Sequence, residues 1–432
     1  MDNKVVIFWF RRDLRVEDNK GLQQALASGL PVLPVFIFDT EILDQLSNPY
    51  DRRVDYIHQA LMTINQALHQ HHSSLQVYHG KPLEVFKKII TQYQVQAVYC
   101  NRDYEPQAIK RDQAVKIQLQ KYDIDFYDFK DQVIFEQAEV AKADGLPYTV
   151  YTPYAKKWRS ELQPEHYTTA KVDLNNFLKV QPHEIISLAD IGFQKTDISF
   201  QKPAPDFDII KDYNKYRDFP SLDKTSHLGI ALRFGTISIR ECVSFALKHN
   251  DTWLSELIWR EFFMQILYHF PEVVHRSFKP QYDYIEWRNN EEEFQRWCNG
   301  KTGYPIVDAG MQQLNITGFM HNRVRMIVAS FLCKHLLIDW RWGEAYFAEK
   351  LLDYDLAANN GNWQWAAGCG CDAAPYFRIF NPTAQTQKFD KDLLYIKKWN
   401  PDFQQSIAPP IVQHEMARQR ALVVYKKALQ NI

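Results

Sequence analysis

Short apolar runs alternating with amphipathic stretches over the first 130 residues constrain the fold of this 432-residue chain more than any other feature. Val5 to Phe10, Val32 to Phe38, Leu75 to His79, Ala97 to Cys100 and Asp125 to Tyr127 have the length and the β-branched and aromatic content of strands. Between them Val54, Ile57, Leu61, Ile64 and Leu68, and then Leu83, Phe86, Ile89 and Ile90, recur at three- and four-residue spacing, the period of one helix face. Strands separated by helices of this length pair in parallel through right-handed crossovers, so the pattern predicts a doubly wound parallel sheet.

Such a unit resembles a nucleotide-binding domain, but it lacks G-x-G-x-x-G, so a dinucleotide held across the first turn is not expected. Residues 131–204 lose clear periodicity and carry Pro147, Pro153, Pro164 and Pro182, which predicts a connector draped over the surface. From residue 205 onward helical patterns dominate: Leu254, Leu257, Ile258, Phe262 and Ile266 mark one face, Val324, Ile327, Val328, Phe331 and Leu332 another. The expected organisation is an α/β domain over 1–130, a connector over 131–204 and an all-helical domain over 205–432.

Lys plus Arg (51) against Asp plus Glu (52) leaves a net charge of −1, so any nucleic-acid binding must come from a local basic face. An apolar content of 46% rules out disorder. The run from Val5 to Phe10 is too short for a signal-peptide core, and no stretch approaches the roughly 18 apolar residues of a membrane span, so a soluble, cytoplasmic protein is expected. Six cysteines lack framework spacing and read as reduced thiols; Cys369-Gly370-Cys371 has no second pair, and no metal is expected. Of 11 tryptophans, nine lie between Trp253 and Trp399, which marks that region as chemically different even if most of them are core mass.

Several segments combine residues that carry chemistry. Phe8-Trp9-Phe10-Arg11-Arg12-Asp13-Leu14-Arg15, with Asp18-Asn19 behind it, puts alternating charges where the first strand leaves the sheet. Thr225-Ser226-His227-Leu228-Gly229 places hydroxyls and backbone N–H groups at a helix entrance, where they can hold phosphate oxygens. In Trp253-Leu254-Ser255-Glu256-Leu257-Ile258-Trp259-Arg260-Glu261-Phe262, a carboxylate, a flat apolar plate and a cation (Glu256, Trp259, Arg260) share one helical face. Asn322, Arg325 and Met326 share another, while Arg323 points elsewhere and can meet phosphate. Asp353, Asp355 and Asn359 stand amid apolar residues in the run to Gly361-Asn362-Trp363-Gln364-Trp365; if buried they need partners, and Arg325 is the obvious one for Asp353.

These runs resemble, in order, six motifs of the DNA photolyase and cryptochrome family: W-x-R-x-D-L-R-x-x-D-N, T-S-x-L-S, W-L-x-E-L-I-W-R-E-F, G-x-P-x-V-D-A (here Gly303 to Ala309), W-M-H-N-R-x-R-M and D-x-D-x-A-x-N-x-G-x-W-Q-W. Gly229 departs from a hydroxyl residue, His227 from an arginine and Phe319 from a tryptophan. The resemblance, most like a class I photolyase of cyclobutane pyrimidine dimers, implies one FAD held by Tyr213, Thr225, Ser226, Leu228 and Gly229 at the diphosphate with Trp253 beside it. It implies Asn322, Arg325, Asp353, Asp355 and Asn359 around the isoalloxazine, with Asn359 near N5. Glu256, Trp259, Met326 and Trp365 would form the lesion pocket, and Trp363, Trp340 and Trp287 an electron-transfer chain. Arg217, Arg260, Arg323 and Arg378 would face the backbone of dimer-containing DNA. An antenna pigment, a reduced folate or a deazaflavin, would sit near Asn101 and Glu105.

The implied activity is light-driven dimer repair by a monomer that does not enter membranes. A cryptochrome-type receptor without repair activity is the alternative; the pair Trp259 and Trp365 and the short tail after Asn381 count against it. A six-four photolyase is disfavoured because His321-Asn322 lacks that subgroup's features.

Overall fold

The computed structural model describes residues 4–169, 172–404 and 409–430. β1 (Lys4–Phe10), β2 (Val32–Phe38), β3 (Gln76–His79), β4 (Gln94–Asn101) and β5 (Asp125–Phe129) form one parallel sheet in the order β3-β2-β1-β4-β5. Central β1 shows no apolar–polar alternation because both of its faces are covered. Val5, Ile7 and Trp9 pack with Phe86, Ile89 and Val115 on one side, and Val6, Phe8 and Phe10 with Leu22, Leu61 and Ile64 on the other. The covering helices are those the periodicity predicts: Arg52–His69 buries Val54, Leu61, Ile64 and Leu68, and Pro82–Gln92 buries Val85, Phe86 and Ile89.

Strand order reverses between β1 and β4, and the charged motif after β1 fills that point with internal bonds. Arg11 pairs with Asp112, and Arg12 with Glu105 at 2.7 Å and Asp103 at 3.2 Å. Asp131 lies between Arg15 and Arg240, each at 2.6 Å, and Arg240 also reaches Asp18 at 2.8 Å. Asn101 donates to Asp13 (2.6 Å) and Asn19 (2.7 Å) and accepts from the Gly21 N–H (2.8 Å).

Contacts therefore divide the chain differently from three consecutive blocks. Residues Leu228–Lys248, expected in the helical domain, cluster with Met1–Glu136 and Leu162–Pro205, bound in by Arg233, Gly235, Ser238 and Arg240. The expected connector splits: Phe177, Ile191 and Phe193 enter one core of the sheet unit, and the Leu178 N–H bonds the Val32 carbonyl at 2.8 Å. Apolar anchors spaced without a period carry no helix or strand signature, which is why they read as a surface loop.

The second unit comprises Gln137–Glu161, Asp206–His227 and His249–Ile432 and is helical. Trp297, Trp340 and Trp363 lie inside its main core, with Trp287, Trp342, Trp365 and Trp399 packed against it. Two glycines set the helix spacing there. A Cβ at Gly343 would fall 2.1 Å from the Trp363 ring, and one at Gly361 2.1 Å from the ring of Phe263. Helix Leu356–Ala367 thereby approaches both Trp340–Lys350 and Asp251–His269.

The Asp131 bridge is testable. Burial alone would push its carboxyl up, but Arg15 and Arg240 overcome that and hold it below the usual carboxylate range. A depressed folded pKa contributes stability that is present at neutral pH and lost as pH falls through the lowered value. Asp131→Asn leaves two buried guanidinium groups under-compensated, so we expect about 3–5 kcal/mol of destabilisation at pH 7. Denaturant unfolding should show the gap between variant and wild type narrowing once pH drops below about 4; equal stability at pH 7 would remove the bridge from the fold's supports.

Candidate functional site

A cavity of about 600 Å³, its open mouth included, lies in the helical unit. Its wall contains Asn322, Arg325, Met326, Asp353, Asp355, Asn359, Trp363 and Trp365, so residues spread over 44 positions are brought to one place. Local structure explains how. Asp355 is the N-cap of helix Leu356–Ala367 and accepts from the Ala358 N–H at 3.2 Å, which places Asn359, Trp363 and Trp365 along the following turns. His321 caps helix Asn322–Ser330 by accepting from the Arg323 N–H at 3.1 Å; burial and nearby Arg325 pull its imidazole down to about 4, so it is neutral and able to accept.

Arg325 donates to both oxygens of Asp353, at 2.9 and 3.1 Å, as the sequence leads one to expect, and its Nε donates to the Met320 carbonyl. Asn359 donates to the Glu344 side chain at 2.8 Å and to its carbonyl at 3.1 Å, which directs the amide and leaves its oxygen as the acceptor. Glu344 is a partner of Asn359 that sequence reasoning missed. Burial raises its pKa while the Asn359 bond opposes the rise. The available signal was a single carboxylate among Trp340, Trp342, Gly343, Tyr346 and Phe347.

Thr225 and Ser226 end the segment Asp206–His227 of the helical unit, whereas Leu228 and Gly229 begin the segment that clusters with the sheet. The Thr225 hydroxyl oxygen is buried and has no hydrogen-bond partner among the described residues. Buried hydroxyls are normally paired, so a ligand oxygen at this position fits. Tyr213 is half-buried with the Arg217 guanidinium 5.3 Å from its ring, and Trp253 is buried in the first turn of Asp251–His269. His227 takes φ +52° and bonds Asp223 at 2.7 Å, and its ring meets Phe319 at 4.5 Å. Two of the three departures from the family pattern are thus in contact with each other.

Glu256 and Trp259 stand on helix Asp251–His269, which packs on Leu356–Ala367, and Arg260 is half-buried beside them. Glu256 pairs with Arg217; burial pushes its carboxyl up and outweighs the guanidinium, which pulls it down. Trp259 is covered by Tyr151, whose ring lies parallel to it at 3.6 Å. Arg323 bonds Asp218 at 2.6 Å and lies 4.4 Å over the Phe389 ring, so its charge is paired within the protein. Arg378 is exposed. Its carbonyl accepts from Lys334 at 2.9 Å, a fully buried lysine in the π-turn Phe331–His335 whose pKa burial pulls down to about 8. An isolated lysine in an apolar run gave no sequence signal for this role.

Trp363 lines the cavity, Trp340 is fully buried with its indole N–H unpartnered among the described residues, and Trp287 is half-buried, edge-on to Tyr425 at 6.0 Å. Trp297 stands 6.1 Å from Trp363, a second indole neighbour that motif matching does not single out. Asn101 and Glu105, expected near an antenna pigment, are spent on the internal network after β1. Among the described residues no three His, Cys, Asp or Glu side chains are grouped to hold a metal, and no helix is long and apolar enough to cross a membrane.

Comparison with known proteins agrees with this arrangement. A family model described as DNA photolyase matches residues 6–172, and one described as FAD binding domain of DNA photolyase matches residues 253–428. A deoxyribodipyrimidine photo-lyase of Synechococcus is 36% identical, over 98% of this chain and 96% of the relative. The crystal structure of a bacterial class III photolyase from Agrobacterium tumefaciens superposes with a TM-score of 0.86 at 34% identity, covering 99% and 98% of the two chains. That of an archaeal photolyase from Sulfolobus tokodaii, with two FAD molecules, gives 0.83 at 32%, covering 98% and 99%. On sequence and fold, the chain belongs to the DNA photolyase family.

Proposed function

We propose that this chain repairs cyclobutane pyrimidine dimers in DNA with light and FAD. The observation that carries the reading is the cavity in which Arg325–Asp353 and Glu344-directed Asn359 share a wall with Met326 and Trp365, next to the helix bearing Glu256 and Trp259. Asn322, Arg325, Asp353, Asp355 and Asn359 would hold the isoalloxazine, and the unpaired Thr225 hydroxyl a phosphate oxygen. When bound, reduced and excited, FAD supplies one electron to the dimer, whose two cyclobutane bonds then open, and receives one electron back, so there is no net redox change.

The chain's own part is recognition and surroundings. The target atoms are unreachable in a duplex, so the dimer must leave the stack, and a lesion that already pairs poorly is easier to extrude. Trp259 and Trp365 offer flat apolar faces and Met326 an adaptable one. Glu256, its pKa raised by burial, keeps a proton to higher pH than an ordinary glutamate and can donate it in a hydrogen bond to a base carbonyl gaining negative charge. Packing by these side chains excludes water. For the antenna we keep a reduced folate or a deazaflavin and add a second flavin, since the archaeal relative carries two FAD molecules; the absorption spectrum of the purified protein distinguishes them.

Glu256→Ala should lower repair yield by the equivalent of about 1–3 kcal/mol while flavin content stays intact. Glu256→Gln should retain most activity and flatten the loss of yield that wild type shows as pH rises through the raised Glu256 pKa. Unchanged repair in the alanine variant would take Glu256 out of the pocket.

Phosphate contact is assigned to Arg378 in preference to Arg323. Arg378→Ala should reduce the slope of log affinity against log salt by about 0.9, whereas Arg323→Ala should leave it near the wild-type value. Equal reductions would mean that the Asp218 pair opens on DNA.

Trp340→Phe keeps an apolar ring in the core and should fold and take up FAD. It should fail to photoreduce oxidised flavin, yet repair normally when the flavin is chemically reduced beforehand. Normal photoreduction would move the path to other indoles, Trp297 first. A protein that photoreduces its flavin but repairs no dimer would favour the receptor reading.

A further inference from the structure

Tyr151 opens helix Tyr151–Glu161 in a stretch that patterning assigns to a connector, yet it packs in the helical unit. Three of its groups bind what surrounds the candidate substrate pocket. The ring stacks on the Trp259 indole with centroids 3.6 Å apart and planes 5° apart. Its hydroxyl donates to the Ser255 carbonyl, one turn before Trp259, at 2.9 Å. The backbone N–H donates to Asp372 at 3.0 Å, the residue that begins the segment leading to Arg378.

A direct face-to-face stack is not the arrangement two aromatic rings prefer, so the backbone bond to Asp372 and the anchored helix hold it in place, with the hydroxyl bond a smaller addition. The helix that carries the ring is itself fixed. Tyr154 and Trp158 are buried, the Trp158 indole donates to Glu261, and Arg159 bonds Asp251 at 2.6 Å and Ser255 at 3.0 Å. Phe262 stands edge-on to both stacked rings, at 5.9 and 5.6 Å. Tyr151 is thus anchored structure against Trp259, not a side chain on a loop free to swing.

We propose that Tyr151 is a positioning residue for the substrate: it fixes the plane of Trp259 and couples it to the Asp372–Arg378 segment, so that an extruded pyrimidine pair meets a preset aromatic face. The proposal rests on reading the site as a dimer pocket. Locking a flat face in advance removes ordering that binding would otherwise have to supply, so the effect belongs in dark affinity and not in the yield per photon of bound substrate.

The test uses the full chain with its FAD, as wild type, Tyr151→Phe, Tyr151→Leu, Trp259→Phe and the Tyr151→Leu/Trp259→Phe double variant. Dark affinity for an oligonucleotide with one thymine dimer, repair per absorbed photon at saturation and flavin content are measured. We expect Tyr151→Phe to bind within about twofold of wild type, and Tyr151→Leu to bind about three- to tenfold more weakly, the range that the coupling of an aromatic pair supports. Flavin content and saturated yield should be unchanged, and the leucine effect should shrink in the Trp259→Phe background. Tighter binding by Tyr151→Leu would make the ring a lid, and equal affinity, equal loss in Phe and Leu, or loss of flavin would each overturn the proposal. A wild type that does not prefer dimer-containing over undamaged DNA would overturn the pocket reading itself, and the positioning role with it.

Discussion

Close approach of three helices, allowed by the missing side chains of Gly343 and Gly361, is the constraint on which the candidate site depends. Helix Leu356–Ala367 carries Asn359, Trp363 and Trp365; Trp340–Lys350 carries Glu344 and Trp340; Asp251–His269 carries Glu256 and Trp259. A methyl group at either glycine would drive the helices apart by the depth of an aromatic ring edge. The Glu344–Asn359 bond at 2.8 Å and the burial of Trp363 both require the near spacing. Packing and polar recognition are here one problem: the contact that buries an indole also delivers a carboxylate to an amide.

The charged groups follow a second rule, that a buried charge must have a partner. In the sheet unit this produces the Arg15–Asp131–Arg240–Asp18 bridge, whose charges are paired within the protein. Among the residues expected to hold a ligand, satisfaction is incomplete. Thr225 is unpaired among the described residues, and Asn359 spends its N–H groups on Glu344 and keeps an acceptor.

Much of this was legible in the sequence, for physical reasons. Period 3.6 in Arg52–His69 and the short apolar runs gave the α/β unit, because a sheet buried on both faces leaves few alternatives for β1. The Arg325–Asp353 pair was legible because two opposite charges in apolar runs need each other. What stayed hidden depends on contacts between residues distant in sequence. Nothing in Ile239 to His249 distinguishes a helix that packs with the sheet unit from one that packs with the other helices; Arg240 decides it by meeting Asp18 and Asp131. Tyr151, Glu344 and Lys334 have no motif of their own and acquire roles only through Trp259, Asn359 and the Arg378 carbonyl. Arg323 had a partner hidden for the same reason. Its helical phase points it away from Arg325, and Asp218, a hundred residues earlier in the chain, receives it.

A nearly neutral chain that binds DNA must solve a problem that a basic protein avoids, and the pairing of its arginines indicates how. Arg217 is matched to Glu256 and Arg323 to Asp218, so these two arginines are charge-balanced in the free protein. Undamaged duplex would gain fewer counterion-releasing contacts from this pair than from free guanidinium groups. On the proposed reading an extruded dimer offers Glu256 a base carbonyl; the carboxylate that accepts from Arg217 takes up a proton from solvent, donates it to the base in a hydrogen bond, and leaves the guanidinium free to meet phosphate. Base recognition and phosphate attraction would then rise together, and only for a nucleotide that has left the stack. The same pairing keeps Glu256 oriented when no substrate is present, and the burial that raises its pKa readies it to donate when the guanidinium turns away. Discrimination against intact DNA would then come from the order in which these partners exchange, not from net charge, which at −1 cannot supply it.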